Sequence, residues 1–164
     1  MYFTIKDVYG GGQSMYNIRS RWSDVGGNFK DVSALGIFVD NHDNARFLNS
    51  YNNKAGFKSA LTFALTATGI PFYYYGSEQA YAGGNDPQNR ESLWQDMNTG
   101  SDIYKMTAAI NKARKAGEIW NHQLEEKYVM DNVYAFSRGS MMVATTNRGD
   151  QVSFSPSASW SEGT

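Results

Sequence analysis

The chain has 164 residues and a formal net charge of −1, with 15 Lys and Arg against 16 Asp and Glu. This length allows one ordinary domain or a domain with a small appendage. The balanced charge provides no basic surface for nucleic acid or an anionic membrane, so we expect neither partner. The absence of cysteine excludes disulfides, thiolate metal sites and thiol nucleophiles. No apolar run approaches the roughly 18 residues of a membrane span. Residues 1–6 lack the pattern of a secretory signal, and the compartment stays unknown.

Residues 1–120 alternate between helical and strand patterns. Met15, Ile18 and Trp22 recur at helical spacing, which predicts a first helix that Ser14 can cap. An apolar run at 35–39, a helical pattern at 54–68, an aromatic-rich run at 70–75 and a helical pattern at 101–117 follow in that order. This alternation predicts α/β units built around a parallel sheet.

The pattern changes near residue 120. Short strand-like runs at 127–131, 133–137, 141–145 and 151–155 are separated by Asn- and Gly-containing turns, as in antiparallel hairpins. We therefore predict an α/β segment over residues 1–120 and a small antiparallel β domain over residues 121–164. Within the α/β segment, residues 76–100 form a long loop rich in Gly, Asn and Asp, and long ordered loops are usually functional.

A cluster of polar side chains follows the first predicted strand. Asp40, Asn41, His42, Asp43 and Asn44 place two carboxylates, two amides and an imidazole within five residues. In α/β barrels the catalytic groups lie at the C-terminal ends of the strands, where loops can surround a ligand. From the residues alone two interpretations stay open. One is a catalytic or binding cluster, and the other is a polar turn in which Asp and Asn side chains cap the backbone.

Three segments resemble the family 13 glycoside hydrolases, the α-amylase family, in its fungal form. Residues 38–47 read Phe-Val-Asp-Asn-His-Asp-Asn-Ala-Arg-Phe and match the family pattern Phe-Val-(Glu/Asp)-Asn-His-Asp. Residues 69–79 resemble the family's eighth-strand motif. Residues 81–91 and Trp94 resemble the loop on the glycone side of the cleft. The resemblance implies a partial (β/α)8 barrel, comprising about its last three β/α units, followed by a shortened antiparallel β domain.

The resemblance assigns roles to four residues, with an α-glucan such as starch as the partner. Asp43 falls on the family's third acid, which stabilises the distorted sugar at the transition state, and His42 falls on the histidine that contacts the same sugar. Asp86 and Arg90 fall on a pair that binds glucose units further along the cleft. For this pair a structural interpretation is equally open: Asp86 and the following proline set a turn, and a neighbouring carboxylate holds Arg90. Glu78 and Gln79 are expected to brace the loop.

The family's nucleophile and general acid are missing from this chain. Retaining glycosidases place these two carboxyl groups about 5–5.5 Å apart, and the segments that carry them belong upstream of residue 1. The calcium ligands of the family also lie mainly upstream, so we expect no metal and no cofactor. A substitute pair would have to come from the remaining acids, of which Asp40 and Asp43, three residues apart, are the best candidates, ahead of Glu78, Asp86 and Glu91.

A partial barrel would leave sheet edges and an apolar inner face exposed. We therefore expect a homo-oligomer or a domain-swapped dimer. Three functions stay open: a minimal α-amylase, a non-catalytic carbohydrate-binding remnant, and a fragment whose activity belongs to a longer amylase.

Overall fold

The computed structural model describes residues 1–149 and 151–155. Five helices lie in this part of the chain: α1 Tyr2–Tyr9, α2 Tyr16–Asn28, α3 Phe47–Ser50, α4 Lys54–Thr66 and α5 Asp102–Ala116. The strands are β1 Gly36–Ile37, β2 Ile70–Pro71, β3 Glu125–Met130, β4 Val133–Arg138 and β5 Met141–Thr146. The three longer helices confirm the helical patterns predicted from the sequence.

The helix ends follow from local hydrogen bonding. Ser101 precedes α5, and its hydroxyl oxygen accepts a hydrogen bond from the Tyr104 amide at 3.0 Å, while Gly117 ends the helix. Asn53 accepts a bond from the Gly56 amide in the same way at the start of α4. Such caps satisfy amides that have no partner within the helix. The Ser14 oxygen accepts a bond from the Tyr16 amide at 3.2 Å as α2 begins.

Strands β1 and β2 form a parallel pair, as the α/β pattern predicted. Gly36 lies opposite Ile70 and Ile37 opposite Pro71, and the Phe72 amide donates to the Ile37 carbonyl at 2.8 Å. Both strands are shorter than predicted, because a two-stranded pair has no neighbour on either outer edge to extend the ladder. The expected third β/α strand is not among the described elements, since the first 35 residues form α1, α2 and a 3₁₀ turn.

Helix α4 lies at the centre of the core. Phe63 is fully buried, and its ring contacts those of Tyr9, Trp22, Tyr134 and Phe136 with centroids 5.9–6.4 Å apart. These partners come from α1, α2 and β4, so α4 joins the helical part to the antiparallel strands. One hydrophobic cluster therefore contains residues from both sides of position 120. The division into two domains there stays a prediction.

The C-terminal strands form an antiparallel sheet in the order β3-β4-β5, with β4 buried throughout. The predicted hairpin turns at 131–132 and 139–140 are confirmed. The predicted strand at 151–155 is wrong, since these residues lie outside any strand. Phe154 instead stacks its ring on that of Tyr128, with centroids 5.5 Å apart. Its apolar side chain is therefore accommodated by ring packing rather than by pairing in a ladder.

Candidate functional site

The polar cluster lies directly after β1, beside the chain that leaves β2. A cavity of about 320 Å³ opens between the two segments. The first segment contributes the polar side chains and one aromatic ring, and the second contributes three aromatic rings. The lining consists of Gly36, Phe38, Asp40, Asn41, His42, Asp43, Phe72, Tyr73 and Tyr74. A concave surface with a few polar groups and several aromatic rings is the usual form of a small-ligand site.

Asp43 and His42 form the exposed part of this cluster. Their side chains are 70% and 63% exposed, and His42 Nε2 lies 3.3 Å from an Asp43 carboxylate oxygen. Because both side chains line the cavity, their polar atoms are available to a ligand. Asn41 caps the local backbone, as the turn interpretation predicted, while the catalytic or binding role of the cluster stays a prediction. Its side-chain oxygen accepts hydrogen bonds from the Asp43 amide at 3.1 Å and the Asn44 amide at 3.0 Å.

Asp40 differs from Asp43 in exposure and in the hydrogen bonds that its carboxylate accepts. It is only 4% exposed, and its carboxylate accepts hydrogen bonds from the Phe47 amide at 2.7 Å and the Ser77 hydroxyl at 3.0 Å. Burial raises the pKa of this carboxyl. The two hydrogen bonds and the nearby positive charges of Arg46 and Lys6 lower the pKa, but they only partly offset that rise. This geometry favours a positioning role for Asp40 over the role of a substitute acid.

Arg46 is a fully buried arginine beneath the site. Its Nε donates to the Glu91 carboxylate at 2.7 Å and its Nη1 donates to the Tyr75 carbonyl at 2.9 Å. The guanidinium also lies over three tyrosine rings, those of Tyr74, Tyr75 and Tyr81, at 4.6–5.4 Å from their centroids. Cation–π contact and a charge-assisted hydrogen bond both stabilise a buried guanidinium.

Glu91 connects Arg46 to the loop at 81–91. While one of its carboxylate oxygens accepts from Arg46, the other accepts from the Gly83 amide at 2.7 Å. The Arg46 amide in turn donates to the Gly83 carbonyl at 3.0 Å. A Cβ atom at position 83 would lie 1.9 Å from the Gln88 carbonyl oxygen. The backbone at residues 83 and 88 therefore approaches so closely that position 83 requires glycine.

Asp86 and Arg90 lie on this same loop and bind each other. Arg90 Nε lies 2.9 Å from an Asp86 carboxylate oxygen, with about half of each side chain exposed. Arg90 Nη2 also donates a long hydrogen bond of 3.5 Å to the carbonyl of His42. The four residues assigned by the resemblance therefore lie in one chain of contacts. The turn and the ion pair of the structural interpretation are both present. The Arg90 amide donates to the Pro87 carbonyl in the turn, and the Asp86 carboxylate holds the Arg90 side chain.

Asn89 is the residue of the site that sequence reasoning missed. It is fully buried, and its side-chain nitrogen donates to the carbonyls of His42 and Asn44, both at 2.9 Å. A single asparagine in a Gly- and Asn-rich loop carries no periodic or spacing signal, so only its contacts identify it.

The predicted brace is confirmed for Gln79, whose side-chain nitrogen donates to the Asn98 carbonyl at 3.3 Å. At Glu78 the backbone carbonyl takes this role, accepting from the Ser101 hydroxyl at 2.6 Å.

Within residues 1–149 and 151–155, no group of three or more His, Asp or Glu side chains comes together in a way that could hold a metal ion. No helix there has the length and apolar character that crossing a membrane requires.

Comparison with known proteins identifies the family. Residues 11–138 match the family model described as the catalytic domain of α-amylase. This chain belongs to the α-amylase family. The Beta/alpha-amylase of Paenibacillus polymyxa is 43% identical over 147 residues, which make up 84% of this chain and 12% of the relative. The α-amylase of Saccharomycopsis fibuligera is 38% identical over 133 residues, which make up 77% of this chain and 27% of the relative.

A solved structure of the family supports the same conclusion. An α-amylase from Malbranchea cinnamomea superposes with a TM-score of 0.84 and 32% identity over 89% of this chain and 33% of the other. Structural neighbours of this chain are thus TIM-barrel α-amylases. The chain spans about a third or less of the length of these relatives.

Proposed function

We propose that this chain forms one wall of an α-1,4-glucan site of the α-amylase type and supplies Asp43 as the acid that stabilises the distorted sugar in hydrolysis. The observation that carries the proposal is the placement of Asp43. Its carboxylate is exposed on a cavity lined by aromatic rings, beside His42. Aromatic faces and convergent polar groups are the two features that a sugar ring requires.

Each exposed residue has a distinct role in this proposal. The Asp43 carboxylate accepts hydrogen bonds from vicinal sugar hydroxyls, and the His42 imidazole contacts the same sugar. The Asp86–Arg90 pair, linked to His42 through its carbonyl, binds glucose units further along the glycone side. Because hydrogen bonds to charged groups are stronger than neutral ones, these carboxylates and the guanidinium supply most of the polar binding.

Turnover needs two carboxyl groups in addition to that of Asp43. A retaining glycosidase requires a nucleophile and a general acid about 5–5.5 Å apart. The acids that line the cavity in the described part of the chain are Asp40 and Asp43, and the Asp40 oxygens are already bonded to Phe47 and Ser77. This occupancy favours a second candidate function for the isolated chain, which is binding of α-glucan without hydrolysis.

The apolar surface near the parallel strands supports a barrel as the complete fold. Ile70 and Phe72 are 49% and 60% exposed, and Phe3 is 68% exposed. The Phe3 ring contacts that of Tyr2, which contacts that of Phe38, so these rings continue into the wall of the cavity. Large exposed apolar side chains at unpaired strand edges mark a contact surface. In this proposal further (β/α)8 barrel strands cover the surface, and without them the chain self-associates.

Calorimetry with maltoheptaose and a reducing-sugar assay on soluble starch test the proposal. The expected result for the chain is measurable maltoheptaose binding that Asp43→Asn and Arg90→Ala each weaken by about tenfold or more, as loss of a charged hydrogen-bonding partner predicts. Matched controls lie on α2, where Arg21 and Asp24 form an exposed pair like that of Arg90 and Asp86. Arg21→Ala and Asp24→Asn should leave binding unchanged.

The outcomes separate the candidate functions. Starch hydrolysis that disappears in Asp43→Asn establishes an enzyme, whereas binding without hydrolysis establishes the carbohydrate-binding function. Hydrolysis that is equal in the two proteins removes Asp43 from the mechanism. No binding and no hydrolysis would refute both functions for this chain.

Sedimentation of the same preparation tests the apolar contact surface. Self-association is expected at micromolar concentration, and Phe72→Ser should reduce it because a polar side chain removes exposed apolar area. A monomer with unchanged sedimentation in Phe72→Ser would contradict the proposed surface.

A further inference from the structure

The loop that carries Asp43 and the loop that carries Asp86 and Arg90 are far apart in sequence yet act on one site. Their exposed side chains touch only through the long bond from Arg90 to the His42 carbonyl. Such a contact between half-exposed groups is too weak to set the distance between two loops. Stronger connections lie beneath the surface, and the bonds from Arg46 to Glu91 and to the Gly83 carbonyl are two of them.

Asn89 provides a connection immediately next to Arg90. Its side-chain nitrogen donates one hydrogen to the His42 carbonyl and the other to the Asn44 carbonyl, each at 2.9 Å. These carbonyls belong to the residues on either side of Asp43. One amide group thus holds both ends of the three-residue segment whose central side chain faces the cavity.

We propose that Asn89 is a positioning residue, which sets Asp43 and His42 at a fixed distance from Asp86 and Arg90 so that one α-glucan chain can contact all four. The inference rests on the proposed function for its ligand but not for its geometry. Asn89 is not itself one of the residues that line the cavity, and it acts through the backbone of residues 42–44.

Burial makes this connection rigid. Asn89 is 0% exposed, so water cannot replace either hydrogen bond without opening the loop. The opposite side of the segment is held by Asn41, whose side-chain oxygen accepts from the Asp43 and Asn44 amides. The backbone of Asp43 is therefore fixed from two directions, and only its side chain extends freely towards the cavity.

The side-chain chemistry at position 89 is specific. Two carbonyl oxygens need two donors from one planar group, and a primary amide supplies them from a single nitrogen. A carboxylate of the same size would instead place an oxygen against the two carbonyls. Serine or alanine would leave at least one of these two carbonyls without the hydrogen bond that it accepts from position 89.

The test compares Asn89→Ala with Asn53→Ala. Asn53 also holds a loop by its side chain, at the start of α4, but it has no contact with residues 41–44. In Asn89→Ala the Asp43 and Asn44 amide signals in the NMR spectrum should shift, and their solvent exchange should accelerate by about tenfold or more. In Asn53→Ala these signals should stay in place.

Maltoheptaose calorimetry on the same proteins gives the second measurement. The dissociation constant should rise by about tenfold or more in Asn89→Ala, because a misplacement of about 1 Å has large effects at such sites, and it should be unchanged in Asn53→Ala. If Asn89→Ala fails to fold, Asn89→Ser retains one donor and gives the same comparison with smaller changes.

The amide signals and the glucan affinity test different parts of the inference. Unchanged Asp43 and Asn44 amides in a folded position-89 variant would overturn the positioning role. Amides that shift while the unsubstituted protein binds no maltoheptaose would uphold the geometric coupling and refute its α-glucan ligand, which is the failure of the proposed function. Shifted amides with glucan affinity equal to that of the unsubstituted protein would show that the coupling has no effect on binding, and would also overturn the inference.

Discussion

The site consists of two layers of polar residues with opposite properties. The rim contains His42, Asp43, Asp86 and Arg90, whose side chains are about half exposed or more and contact each other sparsely. The layer beneath contains Asp40, Arg46 and Asn89, which are nearly or fully buried and make several hydrogen bonds each, together with Glu91. The difference teaches that side chains of the same loops are divided into exposed groups, which we propose contact the ligand, and buried groups, which we expect to stabilise the loops.

The largest effect on stability is expected at Arg46. Arg46→Met removes a buried charge and leaves the partly buried Glu91 carboxylate and the Tyr75 carbonyl without their partner. Removing one member of such a pair typically costs about 3 kcal/mol or more, so the free energy of unfolding should fall by about that amount. Urea denaturation followed by circular dichroism measures it.

The double variant Arg46→Met with Glu91→Leu is the control for this effect. It should recover part of the lost stability, because the Glu91 carboxylate is then no longer left unpaired, although Asp40 still loses the guanidinium 4.0 Å away. A loss below about 1 kcal/mol in the single variant would contradict the assignment of a stabilising layer beneath the rim.

Asp40 should show its burial through the pH dependence of stability. Its folded pKa is raised above the ordinary value of 3.8, so the folded protein holds this proton more tightly than the unfolded chain. Its favourable contribution is therefore complete below about pH 3.8 and is lost as the pH rises through the folded pKa. Relative to Asp40→Asn, the unsubstituted protein should lose stability as the pH rises from about 3.8 through the folded pKa. Urea titrations across this range provide the test, and a difference that is constant with pH would refute it.

The exposed ion pairs of Asp102 provide a weaker comparison away from the site. Lys58 and Lys54 lie 2.6 and 3.2 Å from its carboxylate and lower its pKa to about 2. A lowered pKa stabilises the fold above the ordinary value of 3.8, and this contribution is lost as the pH falls through about 2. Asp102→Asn should therefore lower the thermal midpoint slightly at neutral pH and low salt. The difference should vanish in high salt, where exposed charges are screened.

The smallest effect on stability is expected at the rim. Asp43→Asn and Arg90→Ala should change the free energy of unfolding by no more than about 0.5 kcal/mol, because both side chains are exposed and make few contacts. The same urea titration used for Arg46→Met measures this. A loss comparable to that of Arg46→Met would remove the distinction between the two layers.

The predictions from sequence succeeded where the signal is local. Helix α5 could be predicted from Ser101, its apolar stripe and Gly117, and the hairpin turns could be predicted from their Asn and Gly residues. The strand at 151–155 was mispredicted because an alternating pattern does not reveal whether a neighbouring edge is available. At the site, the rim residues lie in motifs that resemble the family, and that resemblance assigned them to one cleft. The burial of Asp40 could not be predicted, because it depends on Phe47 and Ser77 arriving from different segments.

The sequence by itself determined the family, the helix and hairpin positions, and which residues are candidates to contact a glucan, since these properties depend on residue types at short spacing. Only the tertiary structure decided that Asp40 lies inside while Asp43 faces the cavity, that Arg46 pairs with Glu91, and that Asn89 holds the backbone on both sides of Asp43. These outcomes depend on the loops after β1 and β2 packing together over about 50 residues of separation, and the burial of polar groups there is decided by which partners that packing supplies.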